Sequence, residues 1–356
     1  MRLLSSSPPA IAMTKASPAL SVRLDRLAAS RPPLDPGMAD FRMKLAVGTP
    51  PEAVHWPLAR QRGAWDAVCK IWQAPHPPGL SIYDDSFTSR HGPLKLRIYR
   101  PEGSDHRPGL LYFHGGGWVL GSLETHDDMC AEIAVGADVV VVALDYRLAP
   151  EHPFPAQCED ALALLDWVLA EGLTHGIDTA RLIAGGDSAG GQMTASLAIA
   201  LRDRGLPALR GQILIYPVLD ADSETQSYRR NAISSALSRE EMLYYLDAFL
   251  GPADSSARRD KLALPLLETN LAGLPPAFIT AAAHDTLQDE AFIFAERLEA
   301  AGVPVMLRYE PELDHSYMRA RHHSKPAFES FRAIIEAAKT LAYHGTLAEA
   351  AGRGPE

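Results

Sequence analysis

Two textures divide the chain. Past residue 100 the apolar residues gather in unbroken runs, at Leu110–Phe113, Val139–Leu144, Leu182–Ala184, Gln212–Tyr216, Ala277–Ala282 and Val305–Tyr309. A strand that is apolar without alternation is buried on both faces, which is the habit of a parallel sheet. Between these runs, Ala156–Ala170, Gln192–Arg204 and Asp289–Ala301 have helical composition, the last closed by Gly302 and Pro304. Such alternation from Leu110 to Tyr309 predicts a doubly wound α/β fold: a mostly parallel central sheet with helices on both faces. Just before it, Ser81–Thr88 and Leu94–Tyr99 alternate apolar and polar positions around His91-Gly92-Pro93, the period of two strands around a hairpin-like break. No fixed-period repeat is present.

The first 79 residues read differently. Short helical pieces at Val22–Ala29, Met38–Val47 and Val54–Trp72 lie among prolines, with Pro50-Pro51 before the last and Pro75, Pro77 and Pro78 after it. They carry leucine, tryptophan and methionine but no catalytic pattern, and are expected to cover something else. One connection, residues 220–275, interrupts the alternation and contains the helical stretch Arg239–Leu250. It is expected to pack with the N-terminal helices as a helical cap. The expected division is therefore an N-terminal tail with cap helices (1–79), a catalytic domain with the cap insertion (80–345) and a short C-terminal tail (346–356).

Ligands of such sheets bind beyond the carboxyl ends of the strands, and chemistry-bearing residues gather there. Leu182-Ile183-Ala184 leads into Gly186-Asp187-Ser188-Ala189-Gly190 and then an alanine-rich helical segment. Strand, sharp turn and helix form the context in which Gly-x-Ser-x-Gly is a nucleophile elbow, with Ser188 at its apex. Outside that context the pattern is a turn with an exposed hydroxyl. After Leu110–Phe113 comes His114-Gly115-Gly116-Gly117-Trp118. A glycine triplet there can turn backbone N–H groups toward a developing oxyanion, and Gly115, Gly116 and Gly117, with Ala189, are the candidate donors. The same triplet could be a plain tight turn or a phosphate cradle, but the spacing fits neither nucleotide-binding glycine motif. His114 is expected to orient the loop, and Trp118 to be cleft wall or core. Asp285 follows Ala277–Ala282, and His315 follows Val305–Tyr309. The order Ser, Asp, His is that of hydrolases of this architecture. Of the other carboxylates nearby, Asp314 should point away from the imidazole, and Asp289 should serve the first turn of its helix.

Composition narrows the classes. With 34 basic against 44 acidic residues the formal net charge is −10, and no basic block invites nucleic acid or an anionic membrane. Cys69, Cys130 and Cys158 are odd in number and lack a C-x-x-C, so they read as reduced packing thiols of a cytoplasmic protein. No segment is long and apolar enough to predict a membrane span. The opening Met1-Arg2-Leu3-Leu4 lacks the apolar core of a secretory signal, the polar tail after it is expected to be disordered, and Met13 is an alternative start. No H-E-x-x-H or Cys/His cluster calls for a metal, and no cofactor is expected.

His114–Trp118, the stretch Asp145-Tyr146-Arg147-Leu148-Ala149-Pro150-Glu151-His152-Pro153-Phe154-Pro155-Ala156, and Gly186–Gly191 together resemble the bacterial hormone-sensitive lipase-like esterases of the α/β-hydrolase fold, in the subgroup with Gly-Asp-Ser-Ala-Gly-Gly at the elbow. The resemblance spans roughly residues 80–340. It implies a serine carboxylesterase of short- to medium-chain acyl esters, with Ser188 as nucleophile, His315 as base and Asp285 as acid. It implies Gly116, Gly117 and Ala189 as oxyanion donors, with Gly115 less central, and Asp145–Ala156 as a structural loop beneath the elbow. It also implies a homodimer through the last strand, Val305–Tyr309. Two positions depart from the family pattern: Thr286 stands where proline is usual, and Ser316-Tyr317 where Gly-Phe is usual. An amidase or peptidase on the same fold is the alternative enzyme, and a receptor-like binder the non-catalytic one. The receptors that resemble this family have lost the histidine that His315 supplies.

Overall fold

The computed structural model describes residues 15–103, 105–206, 209–233 and 236–347. The alternative starts at Met1 and Met13, the polar tail after them, and most of the expected C-terminal tail lie outside the described residues.

The chain begins with helices α1 (Pro18–Ala29), α2 (Pro36–Gly48) and α3 (Leu58–Ile71). The hairpin β1 (Leu80–Ser89) and β2 (Gly92–Pro101) follows, then β3 (Arg107–Phe113), α4 (Asp127–Ala137), β4 (Val140–Asp145), α5 (Ala156–Glu171) and β5 (Ile177–Asp187). Next come α6 (Ala189–Asp203), β6 (Gln212–Ile215), α7 (Gln226–Arg230) and α8 (Arg239–Leu250). The chain closes with β7 (Ala277–Ala282), α9 (Gln288–Ala300), β8 (Val305–Glu310) and α10 (Lys325–His344). The eight strands form one sheet in the order β1-β2-β4-β3-β5-β6-β7-β8. β2 alone runs opposite to the other seven strands.

The unbroken apolar runs are explained by helices on both faces. Along β3, Leu111 and Phe113 join one core cluster with α5 and α6, while Leu110 and Tyr112 join another with α4 and α10. Cys69, Cys130 and Cys158 are free and buried. Burial pushes the thiols of Cys69 and Cys158 up to about 12, so they pack rather than react.

The N-terminal helices do two jobs. Leu20 and Leu24 of α1 pack in a cluster with Phe292 and Leu298 of α9, so α1 belongs to the flank of the sheet. Met38 and Phe41 of α2 and Trp72, which follows α3, pack with Tyr317 and Met318. The roof over the sheet edge comes from the end of α2, the turn Pro51–His55, the start of α3 and the segment through α8. Helix α8 is well begun: Ser238 and Glu241 form a reciprocal capping box. Helix α4 was not expected from the sequence. Its segment Asp127–Ala137 is buried on most sides, so it lacks the polar stripe that would mark it as an amphipathic helix.

Candidate active site

The elbow sits between β5 and α6. Ser188 has φ 55° and ψ −116°, a strained conformation for a side chain with a Cβ and one that clusters at functional turns. Two close approaches make the turn possible. A Cβ on Gly186 would lie 2.3 Å from the Phe113 carbonyl oxygen, and one on Gly190 would lie 1.8 Å from it. Only glycine lets β3 pass this close. The backbone is held from outside as well, with Ser188 N–H donating to the Ile215 carbonyl at 2.8 Å.

The loops after β7 and β8 are stitched together by Ala283 N–H to the Glu310 carbonyl and His284 N–H to the Leu313 carbonyl, both at 3.0 Å. This brings Asp285 against His315. The Nδ1 of His315 lies 2.7 Å from Asp285 Oδ2, and its Nε2 lies 3.0 Å from Ser188 Oγ. Asp285 is itself fixed: its Oδ1 accepts Leu287 N–H at 2.9 Å, and its carbonyl accepts Asn231 Nδ2 at 2.8 Å. All three side chains are buried. Burial opposes charging of His315 and is the largest single influence. The Asp285 carboxylate outweighs it, so the imidazole sits above its ordinary value of 6.5.

The other carboxylates have separate duties. Asp314 Oδ1 accepts the backbone N–H of His315 itself at 2.7 Å, while Oδ2 takes Arg42 Nε and Ala236 N–H, each at 2.8 Å. It anchors the base loop to α2 and to the roof. Asp289 accepts Ser227 N–H at 2.9 Å and so caps α7 in addition to standing in the first turn of α9. His322 pairs with Glu132, and His323 packs edge-on against Trp72. Both lie in a different hollow.

The glycine loop splits in two. Gly116 (φ 125°) and Gly117 (φ 61°) take conformations open to glycine and line the cleft beside Ser188. Gly115 does not join them: its N–H donates to Asp187 Oδ1 at 3.0 Å. The expectation of Gly115 as an oxyanion donor is therefore corrected. Its amide is already bonded, and successive peptide N–H groups face different directions. Ala189, the first residue of α6, has no carbonyl one turn earlier to bond, so its N–H is unused by the helix. His114 is buried and stacks on Tyr146 at 4.2 Å, with Nδ1 2.9 Å from the Gly115 carbonyl. Burial, then the nearby His126, lowers it to about 3, so it supports the loop as a neutral ring. Trp118 is core, stacked on Phe249 of α8 at 4.0 Å.

Beneath the elbow lies a polar network that the sequence did not reveal. Asp187 accepts Tyr112 OH at 2.9 Å as well as Gly115 N–H, and Arg319 and His126 lie beside it. Thr125 Oγ1 lies 2.9 Å from both the Ser122 carbonyl oxygen and His126 Nδ1. His126 Nε2 lies 3.2 Å from Arg319 Nη2 and 3.2 and 3.3 Å from the two carboxylate oxygens of Asp187. Burial alone would raise the Asp187 carboxyl, yet its surrounding donors and charges hold it well below the carboxylate range. Asp187 was visible inside the elbow motif, whereas His126 and Arg319 are single residues at loop ends with no local signal.

The cleft above Ser188 encloses about 50 Å³ and is walled by apolar side chains such as Val54, Trp65, Leu237, Met242 and Tyr245. Tyr245 lies directly on Gly117, where a Cβ would meet its ring at 2.4 Å. Both departures from the family pattern have local partners. Thr286 Oγ1 donates to the Leu237 carbonyl at 3.2 Å. Ser316 adopts the left-handed conformation, φ 60°, that glycine usually supplies, and Tyr317 OH donates to Thr280 Oγ1 at 2.9 Å. Among the described residues no group of side chains is arranged to hold a metal, and no helix is long and apolar enough to cross a membrane.

Residues 110–319 match the family model of the α/β-hydrolase fold. The chain is 38% identical over 304 residues to esterase LipI of Mycobacterium tuberculosis, covering 83% of this chain and 91% of that protein. It is 40% identical over 266 residues to carboxylesterase NlhH of the same species, covering 73% and 76%. A solved thermostable esterase from Pseudomonas putida ECU1011 superposes with a TM-score of 0.82 at 30% identity, covering 88% of this chain and 99% of that one. The chain belongs to the α/β-hydrolase-fold family, among its hormone-sensitive lipase-like esterases.

Proposed function

We propose that this carboxylesterase works through an acyl-enzyme formed on Ser188. The observation that carries the reading is the continuous relay from Ser188 Oγ through His315 to Asp285, at 3.0 and 2.7 Å. His315 Nε2 takes the hydroxyl proton as Oγ attacks the ester carbonyl. Asp285 holds Nδ1–H and stabilises the imidazolium. The negative charge that develops on the carbonyl oxygen is received by the N–H groups of Gly116, Gly117 and Ala189. His315 then returns its proton to the leaving alcohol, and water repeats the sequence to release the acid. Asp187 holds Gly115 and so positions the loop without touching the reacting atoms.

The acyl group is short to medium in length, since the cleft beside Ser188 is walled closely by Val54, Trp65, Leu237, Met242 and Tyr245. The roof, built from the Pro51–His55 turn, α3 and α8, acts as the cap. The reading extends to a cytoplasmic enzyme, in keeping with three free buried thiols. It extends also to a dimer across β8, an edge strand with unpaired backbone groups.

The test is covalent. A fluorophosphonate should add one phosphonyl group to the wild-type protein, on the peptide that bears Ser188, and none to Ser188→Ala. Labelling elsewhere, with activity lost, would refute the assignment. Paired ester and anilide substrates distinguish esterase from amidase.

A further inference from the structure

One charged side chain in the cleft has no part in the relay or in the network beneath the elbow. Glu241, on α8, lines the cleft with Ser188 and His315. Its Oε2 accepts Ser238 N–H at 2.8 Å and Ser238 Oγ–H at 2.6 Å. No described residue donates to Oε1, and no described lysine or arginine forms an ion pair with the carboxylate. The contrast with Asp187, the other acid on the cleft wall, is direct, because Arg319 stands beside that one. Among the described residues neither lysine nor arginine lines the cleft. The capping box explains why an acid or amide occupies this position of the helix, since glutamine serves there as well as glutamate. The first turn of a helix also favours a carboxylate, but it leaves this one, lining a cleft with apolar walls, with only neutral hydrogen-bond donors among the described residues. Burial pushes its carboxyl up, while the Ser238 donors and, after them, the nearby His315 pull it down. A desolvated charge of this kind gains most from an opposite charge brought to it.

We infer that Glu241 is a specificity-determining residue that makes this cleft favour esters bearing a cationic ammonium group over neutral ones, and neutral ones over anionic ones. The inference rests on the ester-hydrolase reading of the cleft. It concerns selection only. The bond cleaved, the proton path and the leaving group are those described above, and Glu241 does not touch the scissile carbonyl.

The experiment compares isosteres, so that size cancels. On the alcohol side, choline acetate is set against 3,3-dimethylbutyl acetate and the acetate ester of 4-hydroxybutanoate. On the acyl side, ethyl 4-aminobutanoate is set against ethyl pentanoate. At about pH 8, where an ordinary carboxyl is ionised and a primary amine remains protonated, the wild-type enzyme should favour the cation by about tenfold in kcat/KM in at least one series. It should disfavour the anion by a similar factor. In Glu241→Gln, which keeps the helix cap, both ratios should collapse toward one, chiefly through KM. A merely structural role would lower the melting temperature and leave the ratios in place. Wild-type enzyme that hydrolyses the neutral esters without charge preference overturns the inference, whether or not the variant folds. Ratios unchanged in a folded Glu241→Gln do so as well. If no ester of either series is hydrolysed, the ester-hydrolase reading itself fails, and this inference fails with it.

Discussion

The floor and the roof of the cleft are built by opposite means. The floor is polar and tied at every point: Ser188, Asp285, His315 and Asp187 are buried, and each is held by at least two hydrogen bonds. The roof draws on two segments nearly two hundred positions apart, around Val54–Trp65 and Ala236–Tyr245. These meet mainly through apolar contact, with the bond from Gln61 Nε2 to Tyr244 OH at 3.0 Å as a polar exception. Hydrogen bonds fix direction to within a few tenths of an ångström, whereas apolar packing fixes shape and yields to volume. On the proposed reading, reaction belongs to the first region and selection to the second, so changes in each should fail differently.

The largest effect expected is at the floor. Ser188→Ala should lower kcat by about 10⁶-fold, the scale at which a triad nucleophile fails, with an unchanged melting curve. Residual turnover near wild type would mean that the hydroxyl is not the nucleophile. Asp285→Asn should cost about 10³–10⁴-fold in kcat by favouring the wrong imidazole tautomer. Asp289→Asn and Asp314→Asn should stay within about tenfold and act mainly on the melting temperature. If Asp289→Asn proved the crippling change, the acid of the relay would be misassigned.

The pH profile sharpens the same point. Asp285 holds the His315 imidazole above its ordinary 6.5. A base must be neutral to accept a proton, so kcat/KM should be steady above that raised value and fall about tenfold per pH unit below it. In Asp285→Asn the residual activity should have its acid limb at lower pH, and a limb that did not move would show that the elevation comes from elsewhere. Asp187→Asn should be milder, about tenfold in kcat. It keeps an acceptor for Gly115 but removes the charge opposite Arg319, so the melting temperature should drop as well. The smallest effect belongs to the roof. Tyr245→Ala should change hydrolysis of an aryl acetate only a few-fold while raising the relative rate on longer acyl esters, because it opens the space over Gly117. A series of 4-nitrophenyl esters from acetate to octanoate reads this directly, and a chain-length profile that stays put would place the selecting wall elsewhere.

The floor was far more legible in the sequence than the roof. Gly186, Ser188 and Gly190 announce themselves because the turn that exposes a serine cannot tolerate side chains beside it. Asp285 and His315, which the structure brings together, could be proposed because a strand's end is a place that the hydrophobic pattern itself marks. Gly115 was misjudged for a reason that no local pattern can remedy: three consecutive glycines look alike, and only the position of Asp187, seventy-two residues on, decides which amide is engaged. The His126 and Arg319 contacts were invisible for the same cause, since their partners are close only after folding. In the roof, Glu241 reads simply as the acid of a helix start, and its place beside His315 follows from packing between distant segments. The N-terminal helices shared one texture, yet α1 flanks the sheet while α3 covers the cleft.

The contact of α8 with the glycine loop links admission to readiness. Phe249 lies flat on Trp118, and Tyr245 lies on Gly117, so the helix that roofs the cleft also presses on the two residues at the bend of that loop. A displacement of the helix would therefore be felt at the loop as well as at the roof.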